Sequence, residues 1–310
     1  MGNASRAAII GDRRITGLSA DVIAELVAEL GPLWHEQHQT KLMSRQRKRA
    51  IGAGARHRLV FVDRLLATLV HLRHGATHDV LACWFGVDRS TITRAIGEVR
   101  PLLAERGCTI GPGVRLRTLA EVVDHLGASE ETGIIDGTEI RVRRPASGRK
   151  DRDRFISGKS KQNAVKTMVV TDGDGRVLFC SPTRPGSCAD IPHARQSGLV
   201  TLLADGPAVE ILTDAGSQGL GARTGGRVIT PPHRTFKKNA PDRYEEMHER
   251  QRTAHSSRRI RVEHGIAHLK NRRALARRLG RREHISDTVQ AIAGLLSRQQ
   301  TADLTSTRQK

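Results

Sequence analysis

The stretch TGIIDGTEIRV, residues 132–142, decides the fold, because it places an acid inside a short apolar run that glycine precedes. Apolar runs of this length, rich in β-branched residues, are typical of buried strands. A lone charge in such a strand is costly unless it is paired or binds a metal. The stretch therefore predicts a β-strand that carries Asp136 as a functional carboxylate.

Downstream of this strand, the apolar pattern predicts a mixed sheet. Further strands are expected at residues 164–171, 176–181, 208–214 and 227–230, with helices at 190–203 and 242–280. The sequence DGDG at 172–175 is typical of a hairpin turn. The order strand, strand, strand, helix, strand is that of an RNase H-like fold, in which the first and fourth strands are neighbours. We therefore expect an α/β (α+β) class with helices flanking a mixed sheet.

In residues 78–96 the spacing of the apolar residues is helical, unlike that of the strands above. This segment predicts a helix, a tight turn at Gly86 and a second helix. Glycine readily adopts the positive φ that such a turn needs. Val87, Ile92 and Ile96 would face inward, and Asp88 or Ser90 would cap the second helix. This is the helix-turn-helix arrangement, in which the second helix enters the DNA major groove. Two core helices joined by a glycine turn are the alternative. The residues expected to contact DNA are Arg89, Ser90, Thr91, Thr93 and Arg94.

These patterns divide the chain. We expect a disordered N-terminus at 1–16, a helical helix-turn-helix domain at 17–110, an RNase H-like catalytic domain at 130–298 and a disordered tail at 299–310. No stretch of eighteen uncharged apolar residues predicts a membrane span, and no apolar segment near the N-terminus predicts a secretory signal. A cytoplasmic, nucleoid-associated bacterial protein is the expectation.

The net charge concerns the partners of the protein rather than its fold. Lys and Arg total 52 against 32 Asp and Glu, which gives a formal charge of +20 at pH 7. Nucleic acid is the expected polyanion, because side chains that neutralise phosphates release counterions. Basic residues cluster at 141–166 and 258–282, around the proposed acids. A generic basic surface is the alternative, and no strongly amphipathic basic helix indicates a membrane. Four cysteines without a C-x-x-C pair favour reduced thiols over a zinc site.

Two more acids complete a set that the fold can assemble. Asp214 ends the fourth predicted strand, and Glu263 lies in the last predicted helix. Arg259, Glu263 and Lys270 share one face of that helix. Two divalent ions about 4 Å apart can drive phosphodiester cleavage, and Mg²⁺ prefers carboxylate oxygens. We therefore expect Asp136, Asp214 and Glu263 to hold divalent metal, two ions of Mg²⁺ or Mn²⁺.

At these residues the chain resembles the DDE insertion-sequence transposases related to the eukaryotic Harbinger group. The resemblance covers nearly the full length and rests on the helix-turn-helix segment and four motifs: D-G-T at 136–138, P-G-S-x-x-D at 185–190, T-D-x-G at 213–216 and R-x3-E-x6-K at 259–270. It implies that Asp136, Asp214 and Glu263 are the catalytic triad and that Arg259 and Lys270 contact DNA or orient the glutamate. It also implies a transposase that cleaves transposon ends, joins them to target DNA, and works as a homo-oligomer on double-stranded DNA.

The second carboxylate has a rival in Asp190. A strand end is the more rigid platform and favours Asp214, whereas Asp190 precedes a predicted helix and is placed to cap it. The family pattern commonly has Tyr where this chain has Ser217 and Ser256, and His where it has Glu139. The metal ligands are intact, and these accessory positions differ.

Two other functions fit the same patterns. A sequence-specific DNA-binding protein derived from a transposase would bind DNA without metal and would be indifferent to loss of the three acids. A nuclease on the same fold would cleave DNA without joining it. The intact triad favours the transposase.

Overall fold

The computed structural model describes residues 2–44, 59–148, 150–236, 241–276 and 282–308. Residues 277–281 of the basic cluster predicted at 258–282, and Arg149 of the first cluster, lie outside these ranges. Within the described ranges the helices are α1 (Asn3–Gly11), α2 (Arg13–Thr16), α3 (Ala20–Met43), α4 (Phe61–His74), α5 (His78–Phe85), α6 (Arg89–Glu105), α7 (Leu119–Ser129), α8 (Asp190–Gln196), α9 (Leu199–Asp205), α10 (Leu220–Arg223), α11 (Asp242–Lys270), α12 (Arg273–Ala276) and α13 (Ile285–Arg308). The strands are β1 (Cys108–Gly111), β2 (Val114–Leu116), β3 (Gly133–Arg141), β4 (Ala164–Thr171), β5 (Val177–Cys180), β6 (Arg184–Pro185), β7 (Ile211–Leu212) and β8 (Val228–Ile229).

The central sheet has the strand order β5-β4-β3-β7-β8, with β6 paired to β4. Strands β3, β4 and β5 form an antiparallel meander, whereas β7 pairs with β3 in parallel and β8 with β7 in parallel. The register sets Ile134 opposite Leu212. This confirms the predicted mixed α/β class and the predicted pairing of the first and fourth strands.

The sheet is buried on both faces. Ile134 and Ile140 of β3 belong to a core that includes Val262, Ile266 and Leu269 of α11. Ile135, which points the other way along the same strand, belongs to a second core with α7, α8 and α9. Because alternate residues of a strand face opposite sides, the sheet is the middle layer between two layers of helices.

The helical N-terminal region shares the first core with the sheet, since α13 packs against α6, β1 and β5. The buried residues of α13 include Ala291, Ile292 and Leu295. The protein thus closes its fold with a C-terminal helix that lies between the two regions.

Several elements differ from the predicted pattern. The fourth and fifth strands shrink to two residues each in β7 and β8. The helix predicted at 190–203 is divided into α8 and α9 at Gly198, which has a left-handed φ of 80°. The region between the two predicted domains contains the hairpin β1–β2 and helix α7, whose Thr118–Glu121 capping box fixes its start.

The expectation of disorder at both ends was wrong for the described residues, which are helical. Arg6 of α1 makes a bidentate ion pair with buried Asp63, with distances of 2.7 and 2.8 Å, and Ile9 enters the core. At the other end, Gln299 accepts a 2.8 Å hydrogen bond from the backbone of Ser19. Polar composition suggested disorder, but these long-range contacts hold both segments against the rest of the fold. Such contacts cannot be inferred from the local sequence.

Helix α11, with 29 residues, is the longest of the described helices. Its C-terminal half packs on the sheet, while residues 242–254 are almost wholly exposed. Pro241 occupies the N-cap position. Among the helices that the structure describes, none is both long and apolar enough to cross a membrane.

Candidate active site and nucleic-acid interface

Asp136 and Asp214 lie on neighbouring parallel strands at matching positions. Each follows by two residues the aligned pair Ile134 and Leu212. Asp136 is in the middle of β3, with 22% of its side chain exposed, and Asp214 lies two residues after the end of β7. Because the two strands run parallel, both carboxylates reach the same side of the sheet, as the sequence predicted.

A third carboxylate, that of Asp190, joins them. A Cβ atom placed on Gly216 would lie 3.2 Å from Oδ2 of Asp190 and 3.2 Å from Oδ1 of Asp214. A Cβ on Gly137, next to Asp136, would lie 2.6 Å from Oδ1 of Asp190. The three acids therefore surround a space that two glycines keep open.

Asp190 does not cap α8, so the N-cap alternative was wrong. The N-cap position is Ala189, and no side chain caps this helix. Asp190 is its first residue, and its Oδ1 instead accepts a 3.1 Å hydrogen bond from Nζ of Lys166 on β4. The carboxylate is thus directed towards the sheet.

The electrostatic environment of Asp136 reflects this crowding. Burial raises the pKa of the Asp136 carboxyl, and the charges of Asp214 and Asp190 raise it further. Arg259 of α11 opposes both effects, with its Nη2 3.6 Å from Oδ1 of Asp136. The backbone N–H of Gly137 donates a 2.8 Å hydrogen bond to the same oxygen. The site holds more negative charge than its protein cations neutralise.

Glu263 is not brought into this cluster. It is exposed on α11, one turn beyond Arg259, and forms no ion pair with the residues that the structure describes. Among those residues, no three His, Cys, Asp or Glu side chains are grouped closely enough to hold a metal ion. Residues four apart share a helical face, so Glu263 lies on the side of α11 from which Arg259 reaches Asp136.

The donors fit a hard divalent cation in kind. Carboxylate oxygens are what Mg²⁺ and Mn²⁺ prefer, and Asp136, Asp190 and Asp214 line one small cavity. A cation there would offset the like-charge repulsion that acts on Asp136. The third ligand expected from the sequence, Glu263, is one helical turn from Arg259 rather than in the cluster.

Arg259 and Lys270 take different positions although they share the predicted face. Arg259 is largely buried, with 13% of its side chain exposed, and its Nε is buried without a hydrogen-bond partner among the described residues. Lys270 is exposed at the end of α11. Arg259 is therefore placed to orient Asp136, and Lys270 is free to contact a phosphate.

The positions that depart from the family pattern have polar roles here. Ser217 is buried and donates a long 3.5 Å hydrogen bond to Oδ1 of Asp214. Glu139 accepts hydrogen bonds from the hydroxyls of Ser157 (2.6 Å) and Ser160 (2.9 Å). Ser256 is exposed on α11. Glu139 thus anchors the basic loop after β3.

Sequence reasoning missed the support behind Asp190. His193 lies three residues further along α8, is buried, and has Nε2 3.0 Å from the hydroxyl of Ser181. Both His193 and Asp190 line the small cavity that contains Asp136 and Asp214. The i, i+3 spacing of Asp190 and His193 was the available signal, because it puts both on one helical face.

The predicted helix-turn-helix is formed by α5 and α6. Gly86 ends α5 with a φ of 64°, as the turn requires, and Asp88 rather than Ser90 occupies the N-cap position of α6, without a side-chain hydrogen bond. Ile92 and Ile96 are buried, and Val87 is half-buried. Of the proposed DNA contacts, Thr91 is half-buried, and the exposed ones are Arg89, Ser90, Thr93 and Arg94.

Two of these exposed groups are held by neighbours. Thr93 contacts Nδ1 of His78 at 2.8 Å, and Arg89 lies 3.4 Å from Asp79. Both partners belong to the first turn of α5. The second helix therefore presents a polar face near its start that contacts the first turn of α5.

Comparison with known proteins finds two family models that match parts of this chain. The family model of the DDE superfamily endonuclease matches residues 135–297, and that of the helix-turn-helix of DDE superfamily endonuclease matches residues 57–109. A curated protein named "Probable transposase for insertion sequence element IS702", from Microchaete diplosiphon, is 22% identical over 167 residues. That match covers 54% of this chain and 56% of the relative, so the chain spans just over half the relative's length.

Among solved structures, the crystal structure of the Mos1 strand transfer complex is 14% identical, with 86% of this chain and 85% of that chain covered. Its TM-score is 0.18, and a likeness of that size carries no argument. The family model, in contrast, spans more than half of the chain and includes Asp136, Asp214 and Glu263. The chain belongs to the DDE superfamily endonucleases.

Proposed function

We propose that the protein is a DNA transposase that cleaves the strands at transposon ends and transfers them into target DNA. The observation that carries this proposal is the pair Asp136 and Asp214, set at matching positions of parallel strands beneath Arg259. Membership of the endonuclease family and the match of a helix-turn-helix family model support it. Water is the nucleophile of the first step, and the freed 3′-hydroxyl is that of the second.

In this proposal Asp136, Asp214 and Glu263 hold Mg²⁺ or Mn²⁺, two ions in the working enzyme. Bound divalent ions supply activation of the attacking oxygen and neutralisation of the leaving one. Arg259 holds the Asp136 carboxylate in place, and Lys166 holds Asp190. Lys270 contacts the DNA backbone. The proposal requires Glu263, which is exposed on α11, to join the aspartates in the working enzyme.

The helical region at 17–110 is proposed to bind the transposon end, and residues 130–298 to carry the chemistry. Helix α6 would lie in the major groove with the face formed by Arg89, Ser90, Thr93 and Arg94. Thr91, which is half-buried, would contact the DNA backbone. We also propose that the protein works as a homo-oligomer, since two transposon ends must be held together, and that it acts on nucleoid DNA in the bacterial cytoplasm.

The test is strand transfer with double-stranded DNA that carries the inverted repeats flanking the gene. Activity is expected with Mg²⁺ or Mn²⁺ and not with a chelator. Asp136→Asn is expected to reduce cleavage about 1000-fold or more while leaving DNA binding intact, because removing one charge-stabilising group costs on this order or above. Full activity of Asp136→Asn would rule the assignment out.

The same assay separates the two candidates for the second acid. Asp214→Asn is expected to abolish cleavage as Asp136→Asn does. Asp190→Asn is expected to lower the rate by a smaller factor, about 10-fold to 100-fold, because Asp190 already has a protein cation in Lys166. The reverse order of effects would make Asp190 the catalytic acid.

The other functions predict different results. A DNA-binding protein without chemistry would bind the repeats equally well with and without metal and would be indifferent to all three substitutions. A nuclease would cleave without yielding joined product. Gel separation of cleaved and joined strands distinguishes these outcomes.

A further inference from the structure

A basic cleft of about 1120 Å³ lies away from the three aspartates and from helix α6. It is bordered by α2, the end of α4, the end of α11 and the exposed side of α13. Its lining contains six arginines and two aspartates, the arginines being Arg13, Arg14, Arg73, Arg176, Arg272 and Arg273. This excess of positive charge is local and lies outside the surfaces assigned above.

Arg272 is the unusual member of the set. It is 3% exposed, and its guanidinium donates hydrogen bonds to the carbonyl oxygens of Thr16 (2.8 Å) and Gly17 (3.3 Å). It has no carboxylate partner among the residues that the structure describes. Burial, together with the nearby charges of Arg73 and Arg13, lowers the pKa of Arg272 to about 10. A buried cation surrounded by cations is unfavourable unless an anion accompanies it.

The other arginines of the cleft fall into two groups. Three are paired with acids: Arg13 with Asp303 at 2.6 Å, Arg14 with Asp12 at 2.8 Å, and Arg176 with Asp172 at 2.5 Å. Arg73 is half-buried and Arg273 is exposed, and neither has an ion-pair partner within the described ranges. Arg73, Arg272 and Arg273 therefore face one cleft without an ion-pair partner among the described residues, and of the two aspartates in its lining Asp303 is paired with Arg13.

The backbone holds these three residues together. The end of α4 packs closely on the start of α12, because a Cβ on Gly75 would lie 3.2 Å from the carbonyl oxygen of Arg273. Gly17 is closer still to Arg272, since a Cβ there would lie 2.6 Å from Nη1. The arrangement is built by packing between distant parts of the chain and does not depend on flexible surface side chains alone.

We propose that this cleft binds a phosphate group of the DNA backbone, at a contact separate from the aspartate cluster and from α6. The planar guanidinium group of arginine matches phosphate oxygens in a bidentate fashion, and the exposed amide of Asn271 lines the same cleft. The cleft begins at Asn271, the residue after Lys270, at the end of the helix that carries Arg259 and Glu263. A strand that passes the proposed catalytic face can therefore continue into it. The choice of DNA over a free anion rests on the proposed function.

The test compares double variants in binding to a 30-base-pair duplex of arbitrary sequence. Arg73→Gln with Arg273→Gln removes two charges from the cleft and leaves Arg272 in place. Lys41→Gln with Arg117→Gln removes two exposed charges elsewhere and is the matched control. The slope of log Kobs against log salt is negative, and each lost phosphate contact reduces its magnitude by about 0.9. We expect the magnitude of the slope to fall by about 1 to 2 for the cleft variant and to stay unchanged within error for the control.

Two further arms complete the design. Arg73→Lys with Arg273→Lys keeps the charge and is expected to keep the slope. Thermal unfolding with inorganic phosphate tests a free anion, and all variants are first shown to melt like the wild type. Equal slopes for the cleft variant and the wild type would overturn the proposal, as would stabilisation by inorganic phosphate without any change in DNA binding. Absence of DNA binding by the wild type would overturn the proposed function itself.

Discussion

The carboxylates of Asp190 and Asp214 converge on Gly216, where a side chain has little room. A Cβ there would lie 3.2 Å from an oxygen of each acid. The backbone of Gly216 needs no left-handed conformation, so alanine strains the site through contact alone. We expect Gly216→Ala to reduce DNA cleavage by about 10-fold, because the acids must move by a few tenths of an ångström and a 1 Å displacement of reacting groups costs about 100-fold. The free energy of unfolding should change by less than about 1 kcal/mol.

The matched control is Gly111→Ala, since a Cβ at Gly111 meets nothing within 4 Å. Single-turnover cleavage and thermal unfolding are measured for both variants. Equal cleavage rates for Gly216→Ala and the wild type would mean that the space between the acids plays no part in the reaction.

At the scale of single residues, sequence identified the acids whose setting is local. Asp136 stands out because it interrupts an apolar strand, and Asp214 because it ends one. Asp190 was understood only in part, since its pairing with Lys166 joins a helix to a strand 24 residues away. The orientation of Glu263 depends on how α11 crosses the sheet, and periodicity fixes a helical face without fixing what that face meets.

Among the elements, the turn between α5 and α6 offers a matched pair of glycines. Gly86 has a φ of 64°, and Gly97 lies within α6; a Cβ at either would meet nothing within 4 Å. Gly86→Ala is expected to lower the free energy of unfolding by about 1 kcal/mol, because a left-handed conformation is unfavourable for alanine. Gly97→Ala is expected to raise it by about 0.5 to 1 kcal/mol through helix propensity.

Chemical denaturation of the two variants measures both values. Effects of the same sign would contradict the assigned turn and helix. DNA binding is not used as the readout here, since Gly97 lies on the proposed recognition helix.

Most elements were predictable because their signals are local. The apolar run of β3, the DGDG turn and the i, i+4 pattern of α11 each identify one element. The shortness of β7 and β8 was not predictable, since only pairing across the sheet decides where a strand stops. The hairpin β1–β2 was not predictable either, because contacts with distant residues stabilise it. One of them is the 2.9 Å hydrogen bond from the backbone N–H of Thr109 to the hydroxyl of Ser297 in α13.

At the scale of the whole molecule, Glu25 of α3 connects segments that are distant in the sequence. This carboxylate accepts 2.8 Å hydrogen bonds from Arg106, just after α6, and from Arg298 of α13. The hydrogen bonds from Arg298 lower the pKa of Glu25 below its ordinary value, although burial opposes them. Helix α3, the end of α6 and the C-terminal helix α13 thus meet through charge as well as through the shared core.

A pH dependence follows with a definite sign. Because the folded-state pKa of Glu25 is depressed, its contribution is complete above the unfolded-state value of 4.5 and is lost as pH falls through the folded-state pKa. Glu25→Gln is expected to lower the free energy of unfolding at pH 7 by about 1 to 2 kcal/mol, a range reduced for partial exposure. The difference from the wild type should shrink below pH 4.5.

Glu105→Gln is the control, since Glu105 is exposed and has no ion-pair partner within the described ranges. Denaturant titrations between pH 3 and pH 7 compare the variants, a range chosen to bracket the carboxyl groups. A loss of stability in Glu25→Gln that stays constant across this range would show that its carboxylate charge is not what joins the helices.

The central claim is that three carboxylates of this chain, Asp136, Asp214 and Glu263, drive DNA cleavage. Glu263 tests it most directly, because the structure leaves it exposed, one turn from Arg259. The measurement is the single-turnover cleavage rate with Mg²⁺ for Glu263→Gln and for Glu249→Gln, a control at another exposed glutamate of α11. The account predicts a loss of about 1000-fold for the first and a rate within about 2-fold of wild type for the second. Wild-type cleavage by Glu263→Gln would contradict it.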